Sequence, residues 1–221
     1  MTRFDAIIFD MDGLLLDTET LALSAFLDTC ADLGLEPRTD VFLRCLGTNH
    51  ASGQQVLNDG LAGHTDPVRF RHLWDDKYRH LTTTGPIALK DGVISLLDHI
   101  ATLHMPAAVA TSTHTTRAQE KLARAGILER FTEVVGGEQV QHSKPSPDIY
   151  LRVASLVGAR PHACLALEDS ENGVRAALSA GMTVVQIPDL VHPSDQFRQL
   201  GHIVLASLAD VTTYPFPERL G

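Results

Sequence analysis

The chain has 221 residues, enough for one domain or for a core with a modest insertion. Its 44% hydrophobic and 20% charged residues exclude a disordered or fibrous chain. A formal charge of -9 and a pI near 5.6 exclude any general attraction to nucleic acid or an anionic membrane, so an anionic ligand would need a lysine, a metal ion or backbone amides to hold it.

Residues 6–9 are a short, continuous apolar run, the pattern of a strand buried on both faces in a parallel sheet. Asp10-Met11-Asp12-Gly13 follows directly. Residues 18–84 read as helices only. One spans 18–33 and stops at Gly34, one spans 49–57, and one opens at Asp66-Pro67 and carries Phe70, Leu73, Trp74, Tyr78 and Leu81. From residue 90 strands and helices alternate. A helix over 92–103 presents Val93, Leu96, Leu97, Ile100 and Leu103 on one stripe. Next come a strand at 107–110, a helix at 114–126 and a strand at 133–135. Ser146 caps a further helix with Pro147 in its first turn, and Tyr150, Val153, Ala154 and Val157 form its apolar face. A strand at 163–167, a helix over 170–180 ending at Gly181, and strands at 183–187 and 203–205 complete the series.

This alternation predicts an α/β fold, a Rossmann-like doubly wound parallel sheet. The helical stretch between the first strand and its sheet is long enough to be a small domain. The expected organisation is a catalytic core of residues 1–16 and 85–221 with an all-helical cap domain, 17–84, inserted.

Four polar clusters each follow a predicted strand. Asp10 and Asp12 alternate along a strand end and point the same way. Close carboxylates repel unless a cation or a shared proton intervenes, and Mg²⁺ suits clustered hard oxygens. Alone, the pair reads equally well as turn acids or a helix cap. Glu168 and Asp169 follow the strand at 163–167 and could complete a metal site with Asp10, although Asp169 or Ser170 could also cap the next helix. Thr111-Ser112-Thr113 precedes a helix and offers hydroxyls and amides to an anion, or a plain cap. Lys144 sits between Ser143 and Pro145 in a proline-fixed loop, suited to a phosphate, or simply solvated. In a doubly wound sheet all four clusters meet along one edge, where such folds bind ligands.

In these segments the chain resembles the haloacid dehalogenase-like hydrolase superfamily, over nearly its whole length. Asp10-Met11-Asp12-Gly13-Leu14-Leu15-Leu16-Asp17-Thr18-Glu19 is similar to the first motif of the branch with a helical cap. Val109-Ala110-Thr111-Ser112-Thr113, Lys144-Pro145-Ser146-Pro147-Asp148-Ile149-Tyr150 and Leu167-Glu168-Asp169-Ser170-Glu171-Asn172-Gly173-Val174 are similar to the other three. The nearest group holds β-phosphoglucomutase, phosphoglycolate phosphatase and pseudouridine-5'-phosphatase-like proteins. The resemblance implies a phosphatase in which Asp10 attacks phosphorus and Asp12 protonates the leaving group and then activates water. It implies Mg²⁺ held by Asp10, the backbone carbonyl of Asp12 and Asp169, with Glu168 a further ligand directly or through water. Thr111, the Ser112 amide and Lys144 hold the phosphoryl oxygens. A cap closes over the site, and its residues Gly47, Thr48, Asn49 and His50 touch the leaving group.

Asp12 argues against dehalogenase chemistry, which needs no second acid. A phosphomutase of the β-phosphoglucomutase type is the alternative within the family. Such mutases carry a histidine where this chain has Ala22, and an arginine near the position of His50. A phospho-acceptor or binding module is the alternative of another class, but receiver domains lack the insertion and the second acid. The expected ligand is a small phosphorylated metabolite, a sugar or nucleoside phosphate, with no nucleic-acid or membrane partner and a monomeric chain. Cys30, Cys45 and Cys164 fit neither a disulfide framework nor a zinc site. The opening residues lack a signal-peptide layout, so a cytoplasmic protein is expected. The eleven histidines show no ligand spacing. His72 and His80 read as surface residues, His142 as a loop residue near the active edge, and Trp74 as cap core.

Overall fold

A computed structural model describes residues 4–46, 48 and 50–215, without the side chain of residue 50. Six strands, β1 (Ala6–Phe9), β2 (Ala107–Ala110), β3 (Glu133–Val135), β4 (Cys164–Glu168), β5 (Thr183–Gln186) and β6 (Ile203–Val204), form one sheet in the order β3-β2-β1-β4-β5-β6. Every pairing is parallel. This is the doubly wound α/β arrangement that the alternation predicts, with the chain reversing direction across the sheet at β1. The strands are short and β1, β2 and β4 are buried at every residue, which explains their unbroken apolar runs.

Nine α-helices lie among the described residues: α1 (Thr18–Asp32), α2 (Thr39–Cys45), α3 (His50–Leu61), α4 (Pro67–Thr84), α5 (Val93–Thr102), α6 (Thr115–Arg124), α7 (Asp148–Leu156), α8 (Glu171–Ser179) and α9 (Asp195–Arg198). Small residues on one sheet face, Ala6, Ala108, Ala110, Cys164 and Ala166, let α7 and α8 pack close. Ile149, Tyr150, Val153 and Ala154 come from α7, and Val174, Ala176 and Ala177 from α8. Alanine on the sheet leaves room for Tyr150, which is fully buried.

The chain divides into two compact units, Asp17–Ile87 forming one and the remainder the other. Residues 17–87 have their own core of Ala25, Phe26, Cys30, Val41, Phe42, Leu57, Leu61, Phe70 and Trp74. Phe26 is its centre, with ring centroids 5.5 Å from Phe42, 4.9 Å from Phe70 and 5.1 Å from Trp74. These tilted and edge contacts are the favourable aromatic geometry. The Trp74 indole donates to the carbonyl of Ala22 at 2.9 Å, so Trp74 is core, as expected, and ties α4 to α1.

Three local expectations differ from the structure. Helix α2 was not expected; its seven residues are too few to show a period. Helix α3 runs past its expected end at residue 57 to Leu61. Ser146 does not cap α7: it donates to Asp148 Oδ1 at 2.6 Å, and Pro147 stands at the cap position. By contrast Asp66 caps α4 by accepting from Val68 N at 2.9 Å, with Pro67 in the first turn as expected. All three cysteines are buried free thiols, and His72 and His80 are exposed. No helix of the described residues is long and apolar enough to cross a membrane.

Candidate active site

The sheet register sets the strand ends level. Phe9 lies beside Val109 and Leu167, and Ala110 beside Val135. The ladder runs one residue further: Asp10 N donates to Leu167 O at 2.9 Å and Thr111 N to Val135 O at 3.0 Å. Asp10 and Thr111 are therefore held by their backbones where the sheet ends.

Beyond Asp10 the chain turns back. Gly13 has φ 83°, a left-handed conformation natural to glycine. Its N–H donates to Leu16 O at 3.0 Å, and those of Leu15 and Leu16 donate to Met11 O at 3.0 and 3.1 Å. Helix α1 starts only at Thr18, and its cap residue Asp17 makes no side-chain capping bond. Asp10 and Asp12 thus flank the mouth of a tight loop and stand at no helix start.

Lys144 joins the clusters. Its ammonium lies 2.5 Å from Asp10 Oδ1, 2.5 Å from Glu168 Oε1 and 3.0 Å from the carbonyl of Ala110. Lys144 is 7% exposed and Glu168 0%. The Lys144 side chain is therefore not solvated, although Ser143 and Pro145 on either side of it are exposed. Burial pulls the Lys144 amine down, but Asp10 and Glu168 outweigh it and hold its pKa above the ordinary lysine value. Burial pushes Asp10 up from 3.8 to about 7; Lys144 opposes this and Glu168 adds to it.

Glu168 is the post on which the cluster is built. Its Oε1 accepts from Lys144 and from the Tyr150 hydroxyl at 2.6 Å. Its Oε2 accepts from Asp169 N at 3.2 Å, Ser170 N at 3.3 Å and Ser170 Oγ at 3.1 Å. Five donors saturate a carboxylate, which has about four lone-pair sites. The acid fits there because Gly173 has no side chain. A Cβ at Gly173 would lie 1.8 Å from Glu168 Oε1. Ser170 caps α8, accepting from Gly173 N at 3.1 Å, which leaves the Asp169 side chain to other work. Gln186 holds the Asp169 carbonyl at 2.9 Å and is itself held by His202 at 2.9 Å.

Gly173→Ala should therefore destabilise the protein by about 1–3 kcal/mol through overpacking, although alanine is the better helix former by about 1 kcal/mol. Thermal melts of the variant and the wild type measure this. A higher melting temperature in the variant would show that Glu168 can move aside at no cost.

One carboxylate oxygen from each of Asp10, Glu168 and Asp169 lies within 4.8 Å of the others. Three carboxylates around one ammonium leave an excess of negative charge. An all-oxygen, anionic cluster of this kind fits a hard divalent cation.

The helix-cap readings of Thr111 and Ser112 do not hold. The cap position of α6 is His114, without a side-chain bond. Glu138 satisfies the helix start instead, accepting from Thr115 N at 3.1 Å and Thr115 Oγ1 at 2.5 Å. Thr111 Oγ1 accepts from Thr113 N at 3.1 Å and is buried, whereas Ser112 is exposed. His142 is exposed and sits 3.0 Å from Asp148, away from the cluster's hydrogen bonds. Of the cap residues singled out, Gly47 and Asn49 lie outside the described residues, as does the His50 side chain. Thr48 is exposed, with its hydroxyl on Cys45 O at 2.6 Å.

Sequence reasoning missed Lys121, Tyr150 as a hydroxyl donor, and Gly173. Lys121 Nζ lies 2.7 Å from Asp12 Oδ1. The sequence held a signal for it: Lys121 falls on the buried stripe of α6 with Ala118 and Leu122, where a lysine is out of place. Gly173 in a first helical turn was a comparable signal.

A family model described as haloacid dehalogenase-like hydrolase matches residues 7–187. The phosphorylated carbohydrates phosphatase of Thermotoga maritima is 32% identical over 197 residues, 89% of each chain. The fructose-1-phosphate phosphatase YqaB of Escherichia coli is 30% identical over 189 residues, 84% of this chain and 97% of its own. The crystal structure of CbbY from Rhodobacter sphaeroides in complex with phosphate superposes with a TM-score of 0.73 at 30% identity, covering 94% of this chain and 96% of that one. The chain belongs to the haloacid dehalogenase-like hydrolases.

Proposed function

We propose that the chain is a magnesium-dependent phosphatase that hydrolyses a small phosphorylated metabolite, a phosphosugar first among them, through a phosphoryl group carried on Asp10. Membership of the family, and relatives that are phosphatases of phosphorylated carbohydrates and of fructose 1-phosphate, support a phosphoric monoester hydrolase. The observation that carries the finer reading is the Asp10–Lys144 pair at the sheet edge, with a second acid two residues on.

Asp10 attacks phosphorus as the bond to the leaving oxygen breaks. Asp12 gives that oxygen a proton and the alcohol departs; Asp12 then takes a proton from the water that hydrolyses the aspartyl phosphate. Lys144 fixes the Asp10 carboxylate and offsets charge on the phosphoryl oxygens. In this reading Thr111 and the Ser112 backbone amide also hold the phosphoryl oxygens. Asp10, the Asp12 carbonyl and Asp169 would hold Mg²⁺, which supplies charge neutralisation to the nucleophile and the phosphoryl group. Glu168 belongs to the acidic cluster by distance. Its five donors favour a role in placing Lys144 rather than direct ligation.

The test is phosphate release from a panel of sugar and nucleoside monophosphates with and without Mg²⁺. Release that needs Mg²⁺ and is strongest on sugar phosphates supports the reading. Isomerisation that depends on an added sugar bisphosphate, without net phosphate release, would establish the mutase instead.

A further inference from the structure

Asp12 is held at both of its carboxylate oxygens. Lys121 Nζ donates to Oδ1 at 2.7 Å and Thr113 Oγ1 to Oδ2 at 2.7 Å. The two donors bracket one continuous segment, from the loop after β2 into α6. That segment is itself fixed. Thr113 N is bound to Thr111 Oγ1, and the start of α6 is bound to Glu138. The Lys121 side chain is 9% exposed and that of Asp12 23%.

A buried lysine on an apolar helix stripe is expensive to keep. Buried ion pairs can often be replaced by apolar side chains without loss of stability. Leucine or methionine between Ala118 and Leu122 would pack α6 equally well. The lysine is therefore better explained by where it puts Asp12 than by what it adds to the helix.

We propose that Lys121, with Thr113, is a positioning residue that clamps the Asp12 carboxyl in the orientation from which it serves the leaving-group oxygen. The proposal rests on the phosphatase reading above. Asp12 can rotate about two side-chain bonds, and a misplacement of a catalytic group by about 1 Å costs on the order of a hundredfold in rate. Two donors on separate oxygens remove that freedom, while the Asp12 side chain remains 23% exposed. The role is confined to the leaving group. In the transfer, the Asp10 oxygen forms its bond to phosphorus, the phosphorus–oxygen bond to the alcohol breaks with its electron pair on the alcohol oxygen, and the Asp12 proton completes that alcohol.

This assigns a kinetic signature. A phenolate such as p-nitrophenolate departs without a proton, whereas a sugar alkoxide needs one. The measurement is kcat/KM for phosphate release, which reports transfer to Asp10 and not the later hydrolysis, on a sugar phosphate and on p-nitrophenyl phosphate. For Lys121→Met and for Thr113→Val, kcat/KM on the sugar phosphate should fall about 10- to 100-fold, part of the roughly 10²–10⁴ carried by general acid catalysis. On p-nitrophenyl phosphate it should change by less than about threefold. Lys121→Arg, which keeps a donor, should recover part of the loss.

Equal losses on both substrates would mean that Lys121 serves packing alone, and no loss on either would mean that it serves nothing in the reaction; both overturn the proposal. Thr113→Val tests the same clamp if Lys121→Met folds poorly. Asp12→Asn and Asp10→Asn separate this failure from failure of the underlying reading. If Asp10→Asn still releases phosphate, the phosphatase mechanism itself is wrong. If Asp10→Asn is inactive and Asp12→Asn loses activity selectively on the sugar phosphate while neither clamp variant does, only the clamp is wrong.

Discussion

Asp10→Asn should abolish phosphate release, lowering kcat/KM at least about a thousandfold, the scale on which loss of a covalent nucleophile is felt. Asparagine has the shape of aspartate and can accept from Lys144, so the loss should not come from misfolding. The same variant should be more stable than the wild type when no metal is present. The Asp10 carboxyl is pushed up from 3.8 to about 7 by burial, against Lys144 and with Glu168. An acid whose folded pKa is raised binds its proton more tightly in the folded state. Stability is then fully present below about pH 4, falls as pH rises towards 7, and stays low above it. The penalty that asparagine removes is at most about 4 kcal/mol, the equivalent of that shift. Melting temperatures in EDTA at pH 5 and pH 8 measure it. The variant's advantage should grow with pH and shrink when Mg²⁺ is added to the wild type. An advantage that is constant across pH would show that the charge of Asp10 is not the cause.

Lys144→Met should have the second large effect, on stability as well as on turnover. Lys144 is the shared partner of two buried carboxylates, and its loss leaves both uncompensated. Breaking a buried pair by removing one partner costs about 3–5 kcal/mol. Denaturant unfolding checks this. The double variant Lys144→Met/Glu168→Gln should recover part of the loss, because one of the stranded charges is gone. If the double variant loses as much as the two single variants together, the two groups act independently and Glu168 is not the post described above.

The sheet was legible because its strands are buried on both faces and announce themselves as apolar runs. The clustering of Asp10, Glu168, Asp169 and Lys144 was legible for a topological reason: in a doubly wound sheet, residues just after parallel strands share one edge. The sequence reading ended β4 at Leu167, because a glutamate is not expected inside a buried strand. The strand continues through Glu168, whose charge is made tolerable by five donors that no local pattern reveals. Tyr150 is a similar case. Its ring was readable as core from helical spacing, but its hydroxyl finds Glu168 only through the tertiary fold. Lys121 was readable as an anomaly on its stripe, not as a partner of Asp12, since 109 residues separate them.

The insertion of residues 17–87 between the first two strands has a consequence for how the protein is made. Ile7 pairs with Ala107 and with Leu165, so the strand synthesised first cannot find either neighbour until much of the chain has followed. At a ribosomal rate of about 5–20 residues per second, β1 waits roughly 5–30 s for its two partners. The helical unit, whose contacts are local, can fold meanwhile. During that interval Ala6–Phe9 is an unpaired apolar strand, the kind of segment that invites aggregation. Asp5 and Asp10 bracket it with a negative charge at each end. Such flanking charges act as gatekeepers in nascent chains, so Asp10, the nucleophile proposed above, would also shield the strand that carries it before the sheet exists.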